Sequence, residues 1–213
     1  GMKWVAGWVM LGLAGLLGLG IAGVWPRPES PNPDLIANDW DVENAVAAIV
    51  LGVRLWDTLF EVLVYALAMV GVRFFLGRMR WRAELPPLAE TPLLRRSADL
   101  LFGPIVVFAV YVAVSGHIGP GGGFPAGVIL GSGFLLLALA KGVERLSAEL
   151  YEPRLEGLEY AAVSATLLLG AVVLIIGVRS SAAFVAANLL IALEVGIGAW
   201  VVLHRFALAR GEV

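Results

Sequence analysis

From Leu100 to Ala140 the chain carries no charged residue. A helix rises 1.5 Å per residue, and the hydrocarbon core of a bilayer is about 30 Å thick, so one spanning helix needs about 20 apolar residues. This run is too long for one such helix and long enough for two. At its middle lies Gly116-His117-Ile118-Gly119-Pro120-Gly121-Gly122-Gly123. Glycine and proline end helices there. Two membrane helices are expected, at about 98–116 and 124–143, with a glycine-rich break between them.

The rest of the chain has the same character. Trp4 to Trp25 is uncharged, begins and ends on the tryptophans that suit a membrane interface, and stops at Pro26. It is longer than the apolar part of a signal peptide, so it reads as a span. Further spans are expected at about Asp57 to Gly77, Leu158 to Val178 and Ser181 to Leu203. An acidic segment at 27–43 and a short amphipathic piece, Val42 to Val53, separate the first two. Residues are 60% hydrophobic and 15% charged, against about 45–50% and about 25% in soluble domains. The expected fold class is all-α: a polytopic membrane protein of about six transmembrane helices, with the broken glycine-rich segment between helices three and four.

Six spans put both ends on one side. With Met2 inside, the inner segments hold twelve of the Lys and Arg residues and the outer segments only Arg27, Arg54 and Arg179. By the positive-inside rule the chain is N-in and C-in. The glycine-rich break then lies toward the outer face. Small residues at four-residue spacing, Ala14/Gly18/Ala22, Gly127/Gly131 and Ala192/Gly196, mark close helix packing.

Several chemistries are excluded or disfavoured. There is no cysteine, hence no disulfide, thiolate metal site, iron–sulfur ligation or thiol nucleophile. Two histidines, His117 and His204, are too few for a histidine-rich metal centre, and no metal site is expected. The net charge of -2 leaves no basic footprint for nucleic acid. No Ser/His/Asp set, zinc motif or phosphate-binding loop is present, so no catalytic residue is assigned and an enzyme is not expected. The glycine run lacks the Gly-Lys-Ser/Thr of a phosphate loop and has no βα context.

Ionisable groups inside a span cost about 2.5–3.5 kcal/mol each on insertion scales and normally face protein or water. Asp57 and Glu61 lie four residues apart, on one helix face, with Thr58 between them. Such a pair can pass a proton, or hold Na⁺ with the threonine hydroxyl as a further oxygen ligand. Equally, Asp57 can be an interfacial cap and Glu61 can pair with Arg54. His117 is either a titratable group in a polar gap or a histidine bonded to loop carbonyls. Glu194 is the deepest carboxylate: an ion-path residue, or a neutral acid bonded to a neighbouring helix. Asn188 need not share its face. The stretch Gly116, Pro120, Gly121, Gly122, Gly123 and Phe124 is either a broken-helix loop that presents carbonyls to ions or a site of close helix packing.

The run Ser115-Gly116-His117-Ile118-Gly119-Pro120-Gly121-Gly122-Gly123-Phe124-Pro125-Ala126-Gly127 resembles the signature of the B subunit of Mrp-type multisubunit Na⁺/H⁺ antiporters, Gly-His-x-x-Pro-Gly-Gly-Gly-Phe-x-x-Gly. The likeness extends over about 98–208. That family often has a lysine six residues after an asparagine near its end. Here the asparagine is Asn188 and the later position holds Glu194, so a lysine role does not carry over. Asn44, Ile49, Val50, Arg54, Asp57, Thr58 and Glu61 resemble a second, E-type module, found at the end of the large Mrp A subunit and as a separate subunit of membrane-bound hydrogenases.

The resemblance implies an E-like module at 1–77, a basic linker at 78–97 and a B-like module at 98–213. It implies an integral subunit of a multisubunit Na⁺/H⁺ antiporter, or of the antiporter-like module of a membrane-bound hydrogenase-type respiratory complex. Such a subunit sits in the cell's inner (cytoplasmic) membrane among other subunits and lipid. The resemblance makes Asp57 and Glu61 candidate ion-path residues, and the reading of the residues themselves adds Thr58, Glu194 and His117. Na⁺ and H⁺ are cargo, and no cofactor is expected. The other reading is a scaffold that seals the interface between subunits and conducts nothing.

Overall fold

The computed structural model describes residues 32–76, 78, 92–143, 145, 146, 150 and 152–209, together with Gly15. The described elements are α1 (Pro33–Asp39), α2 (Ala45–Ala47), a π-helical turn (Ala48–Val53), α3 (Leu55–Leu76), α4 (Pro92–Ser115), α5 (Gly123–Lys141), α6 (Glu152–Ile176) and α7 (Ser181–Ala209). Among the described residues there is no strand. Helices α3 to α7 are each long and apolar enough to cross a membrane. They correspond to the expected second to sixth spans, and the chain is a multi-pass helical membrane protein. The expected first span, Trp4–Trp25, lies outside the described residues apart from Gly15.

Two helices begin earlier than the hydropathy predicts. α4 starts at Pro92, inside the stretch expected to be linker up to residue 97, and α6 starts at Glu152 rather than near Leu158. Proline is the reason in both places. Its fixed φ suits a first turn, and its missing N–H is not needed there. Pro92 and Pro153 thus open helices, and charged residues such as Arg95, Arg96 and Arg154 occupy their first turns.

α7 is the most buried of the five helices and packs against α3, α4, α5 and α6. Lipid tails are as apolar as leucine, so close packing rather than hydrophobic burial holds such helices together. The α5–α7 seam shows how. Ideal Cβ atoms at Gly123, Gly127 and Gly131 would lie 2.6 Å from Ile191, 2.5 Å from Val195 and 2.6 Å from Ala199. Glycine at every fourth position lets α7 press against the α5 backbone.

A core cluster joins the two expected modules. Val62, Leu63 and Ala66 of α3 pack with Val163 of α6 and with Phe184, Ile191 and Val195 of α7. A second cluster joins Ala98 of α4, Leu137 and Ala138 of α5, and Trp200 and Val201 of α7. α4 keeps an outer apolar face, including Leu100, Val107, Phe108 and Tyr111.

The amphipathic piece at 42–53 becomes α2 and the π-helical turn. Asn44 caps it, its Oδ1 accepting from the N–H groups of Val46 (3.0 Å) and Ala47 (3.4 Å).

Candidate functional site

Charged and phenolic side chains from three helices meet at one end of the bundle. Arg73 lies in the last turn of α3. Its Nη2 donates to Oε2 of Glu159 on α6. The Arg73 side chain is 9% exposed and that of Glu159 0%. Arg73 Nη1 lies 3.4 Å from the Tyr160 hydroxyl. That hydroxyl donates to Glu156 Oε1 at 2.9 Å, and the Glu156 side chain is 41% exposed. The polar chain therefore runs from a buried ion pair to the surface. Arg205 of α7 closes this end, donating to the Arg73 carbonyl at 3.3 Å.

Glu194 lies deeper, about 20 Å along α7 from its start at 1.5 Å per residue. It is 0% exposed. Among the described residues neither of its carboxylate oxygens has a hydrogen-bond partner, and Glu159 Oε1 and Arg73 Nε are also without one. Tyr65 of α3 donates to the carbonyl of Val195, the residue after Glu194, at 2.9 Å. Buried polar atoms are normally paired. Buried polar atoms left open at this depth, on Glu194 and on the Arg73–Glu159 pair, are more characteristic of a site than of a packed core.

The sequence-predicted residues are distributed differently. Asp57 and Glu61 share an exposed face near the start of α3. Asp57 is paired with Arg54, at 2.6 Å from Nε and 2.5 Å from Nη2. It is therefore Asp57, not Glu61, that takes Arg54. Thr58 points the other way, is buried, and donates to the Val50 carbonyl at 2.8 Å. Its hydroxyl proton thus satisfies the neighbouring π-helical turn. Glu61 and Arg73 are about 18 Å apart along α3, so the exposed carboxylates and the buried cluster occupy opposite ends of the helix.

The glycine-rich break is a tight turn between α4 and α5. Asn44 Nδ2 donates to the carbonyls of Gly116 (3.0 Å) and Gly119 (2.7 Å). The His117 carbonyl accepts from the N–H groups of Glu43 (3.2 Å) and Asn44 (3.0 Å). His117 Nδ1 donates to the Val114 carbonyl at 2.8 Å, the loop-bonded arrangement. Pro120 and Gly121 are exposed, and Phe124 packs on the core. Gly122 has φ +132°, a conformation that L side chains rarely adopt. Asn188 of α7 accepts from the Gly123 N–H at 2.9 Å. Two asparagines, Asn44 and Asn188, thus bracket the turn, and three of its carbonyls are engaged.

Arg73 and Glu159 were not among the residues singled out from the sequence. Their signal was present: both are charges at the margin of an apolar run. Among the described residues, no group of three or more His, Cys, Asp or Glu could hold a metal ion.

Together these features define a polytopic helical membrane protein with a charge cluster in its interior. A family model described as a domain related to the MnhB subunit of Na⁺/H⁺ antiporter matches residues 93–204. That is more than half of the chain, and the chain belongs to this family of antiporter-subunit domains. The resemblance read from Gly116 to Gly127 is thereby borne out. No curated protein matches the chain. A chain in the structure of the membrane-bound sulfane sulfur reductase, an archaeal respiratory membrane complex, shares 24% sequence identity and a TM-score of 0.64. The match covers 96% of this chain and 97% of that one. It shows a common fold that reaches beyond the family model into the N-terminal part.

Proposed function

We propose that this chain is a non-catalytic subunit of a multisubunit cation/proton antiporter, or of the antiporter-like module of a respiratory complex of the membrane-bound hydrogenase kind, and that its carboxylates contribute to a Na⁺ or H⁺ path. The observation that carries this reading is buried charge in a member of an antiporter-subunit family: the Arg73–Glu159 ion pair and, deeper in α7, the buried carboxylate of Glu194. Charge in that position is costly unless it is paired or used. The likeness to a chain of an archaeal respiratory complex supports assembly with other subunits.

In this reading the chain lies in the cytoplasmic membrane with both ends inside. The excess of Lys and Arg on that side supports the orientation. The buried cluster then opens inward through Glu156, and Asp57 and Glu61 lie near the outer end, facing away from this chain's core toward a neighbouring subunit. Residues 44–77 act as the E-like module, Na⁺ and H⁺ are cargo, and no resident cofactor is involved.

A second reading is favoured by specific contacts. Asp57 is held by Arg54, the Thr58 proton by Val50, and the turn carbonyls of Gly116 and Gly119 by Asn44. These groups serve the fold, which suits a scaffold that seals the joint between conducting subunits.

The test is Na⁺/H⁺ exchange in vesicles carrying the whole complex. Slower exchange with Glu61→Gln places that carboxylate on the path, and unchanged exchange removes it. If the chain purifies without any partner subunit, the reading as a subunit fails.

A further inference from the structure

Helices α3, α6 and α7 leave a small space between them. It is a cavity of about 20 Å³, bordered by Leu55 and Thr58 of α3, Thr166 of α6, and Phe184, Ala187 and Ile191 of α7. It begins at the end of the bundle where α6 passes to α7 and reaches Ile191, about 15 Å along α7 from Ser181. A space of this size holds one water molecule. Its walls are apolar apart from the hydroxyls of Thr58 and Thr166, both buried. Each hydroxyl proton is already committed, Thr58 donating to the Val50 carbonyl at 2.8 Å and Thr166 to the Ala162 carbonyl at 2.9 Å. The two oxygens have only lone pairs left to offer. They suit a donor such as water and do not suit an anion. The π-helical turn, a form frequent at functional sites, borders the same cavity through Leu51.

Trp40, just after α1, stands at the beginning of this cavity. Its ring meets Phe184 edge-on, with centroids 5.8 Å apart. It lies flush on Gly52, where an ideal Cβ would be 2.6 Å from Trp40 Cε2. It also packs on the cluster of Leu55, Leu59 and Val173, all three of which border the cavity. The guanidinium of Arg179, on the connection from α6 to α7, is 5.4 Å from the Trp40 ring centroid and pairs with Asp39. Both side chains of that pair are about half exposed, and exposed pairs hold weakly. Asp41, with φ +55°, turns the chain between Trp40 and Asn44, which is fastened to the glycine-rich turn. The indole is thus held by a weak latch on one side and a fixed anchor on the other.

We propose that Trp40 gates a water inlet: its indole closes the cavity between α3, α6 and α7 at the outer face, Arg179 and Asp39 latch it, and its displacement admits water to the hydroxyls of Thr58 and Thr166. The deep end of the inlet is Ile191, which precedes Glu194 by one turn of α7, about 4.5 Å along the axis. The inlet therefore brings water from the outer face to within one helical turn of the level of the chain's deepest carboxylate.

This deepens the reading of the chain as part of an ion-moving module, and it rests on that reading and its orientation, but the gate can be observed without transport. The chain has no cysteine, so a single introduced thiol is the only one on its gel band. Ala187→Cys places that thiol in the cavity wall. The purified complex is exposed to Ag⁺, a small thiol-binding cation, then denatured and labelled with a fluorescent maleimide, and a thiol that Ag⁺ has reached stays dark. Trp40→Ala removes the indole, and Gly52→Ala pushes it off its seat. A closed gate is open only in a minor state, so each is expected to speed the reaction at Ala187→Cys at least about tenfold. Trp40→Phe keeps a ring in place and should stay slow. Ala138→Cys, a fully buried position in the core that α4, α5 and α7 share, should not change. Equal rates at Ala187→Cys with and without the gate variants overturn the proposal. An equal rise at Ala138→Cys overturns it too, since that is general loosening of the bundle. Exchange is scored separately. A gated thiol in a complex that exchanges no ions upholds the inlet and counts against the ion-moving reading. Full exchange with an ungated thiol does the reverse.

Discussion

The side-chain amide of Asn44 is bonded to the carbonyl of Gly119 at 2.7 Å, across 75 positions of sequence. The same amide reaches Gly116, while its oxygen caps α2. One residue thus fastens the N-terminal segment to the turn between α4 and α5.

Replacing Asn44 with Ala removes the cap and leaves the turn carbonyls without their donor. Lost caps and lost buried hydrogen bonds cost about 1–3 kcal/mol together. Asn44→Ala is expected to lower the Tm of the detergent-solubilised complex. Asn44→Asp keeps the capping oxygen but not the donor, and should fall between. Equal Tm values for wild type and Asn44→Ala would show that the fastening contributes nothing.

Gly127 and Gly157 make a contrasting pair. A Cβ at Gly127 would sit 2.5 Å from Val195 Cβ and 2.9 Å from the Ala192 carbonyl, whereas one at Gly157 meets nothing within 4 Å. Gly127→Ala is expected to destabilise by about 1–3 kcal/mol through overpacking. Gly157→Ala, in an open stretch of α6, should stabilise by about 0.5–1 kcal/mol through helix preference. Thermal unfolding of the two variants reads the opposite signs directly.

The Arg73–Glu159 pair calls for a double-mutant cycle. Breaking a buried pair by removing one partner costs about 3–5 kcal/mol, because the other charge is left uncompensated. Arg73→Gln should be the more damaging single change, since it leaves two acids and no cation. The double variant Arg73→Gln/Glu159→Gln should recover much of the loss. Additive single effects, measured as yield and Tm of the assembled complex, would contradict a coupled pair.

Glu61 is exposed on this chain and Asp57 is held by an exposed ion pair. Surface changes of this kind shift stability by about 0.5 kcal/mol or less, and exposed pairs contribute about 0–1 kcal/mol. Glu61→Gln and Asp57→Asn should therefore leave the fold of the chain intact. Loss of a co-purifying subunit in Glu61→Gln would show that the carboxylate faces that partner.

Much of the fold was legible because bilayer thickness sets helix length. The charge-free run from Leu100 to Ala140 divided where glycine and proline required, and the four-residue glycine spacing pointed to the seam that Gly127 and Gly131 form with α7. Helix starts were less legible, since Pro92 and Pro153 look like breakers in sequence yet suit first turns. The site was half visible. Glu194 stood out as a carboxylate deep in an apolar helix. Arg73 and Glu159 lie near the ends of the expected spans 57–77 and 158–178, and no local pattern singled them out. That they are partners depends on how α3 and α6 cross, which no local pattern states. Asn188 lay six residues from Glu194, and its role at Gly123 became clear only with α5 in place.

The central claim is that acid groups buried in this chain take part in moving ions. Its most direct test is Na⁺-driven proton movement in vesicles carrying the whole complex, wild type beside Glu194→Gln at equal amounts of assembled protein. The rate is expected to fall at least about tenfold, equivalent to about 1.4 kcal/mol of barrier. An equal rate in the two preparations would contradict the claim and leave the chain a scaffold.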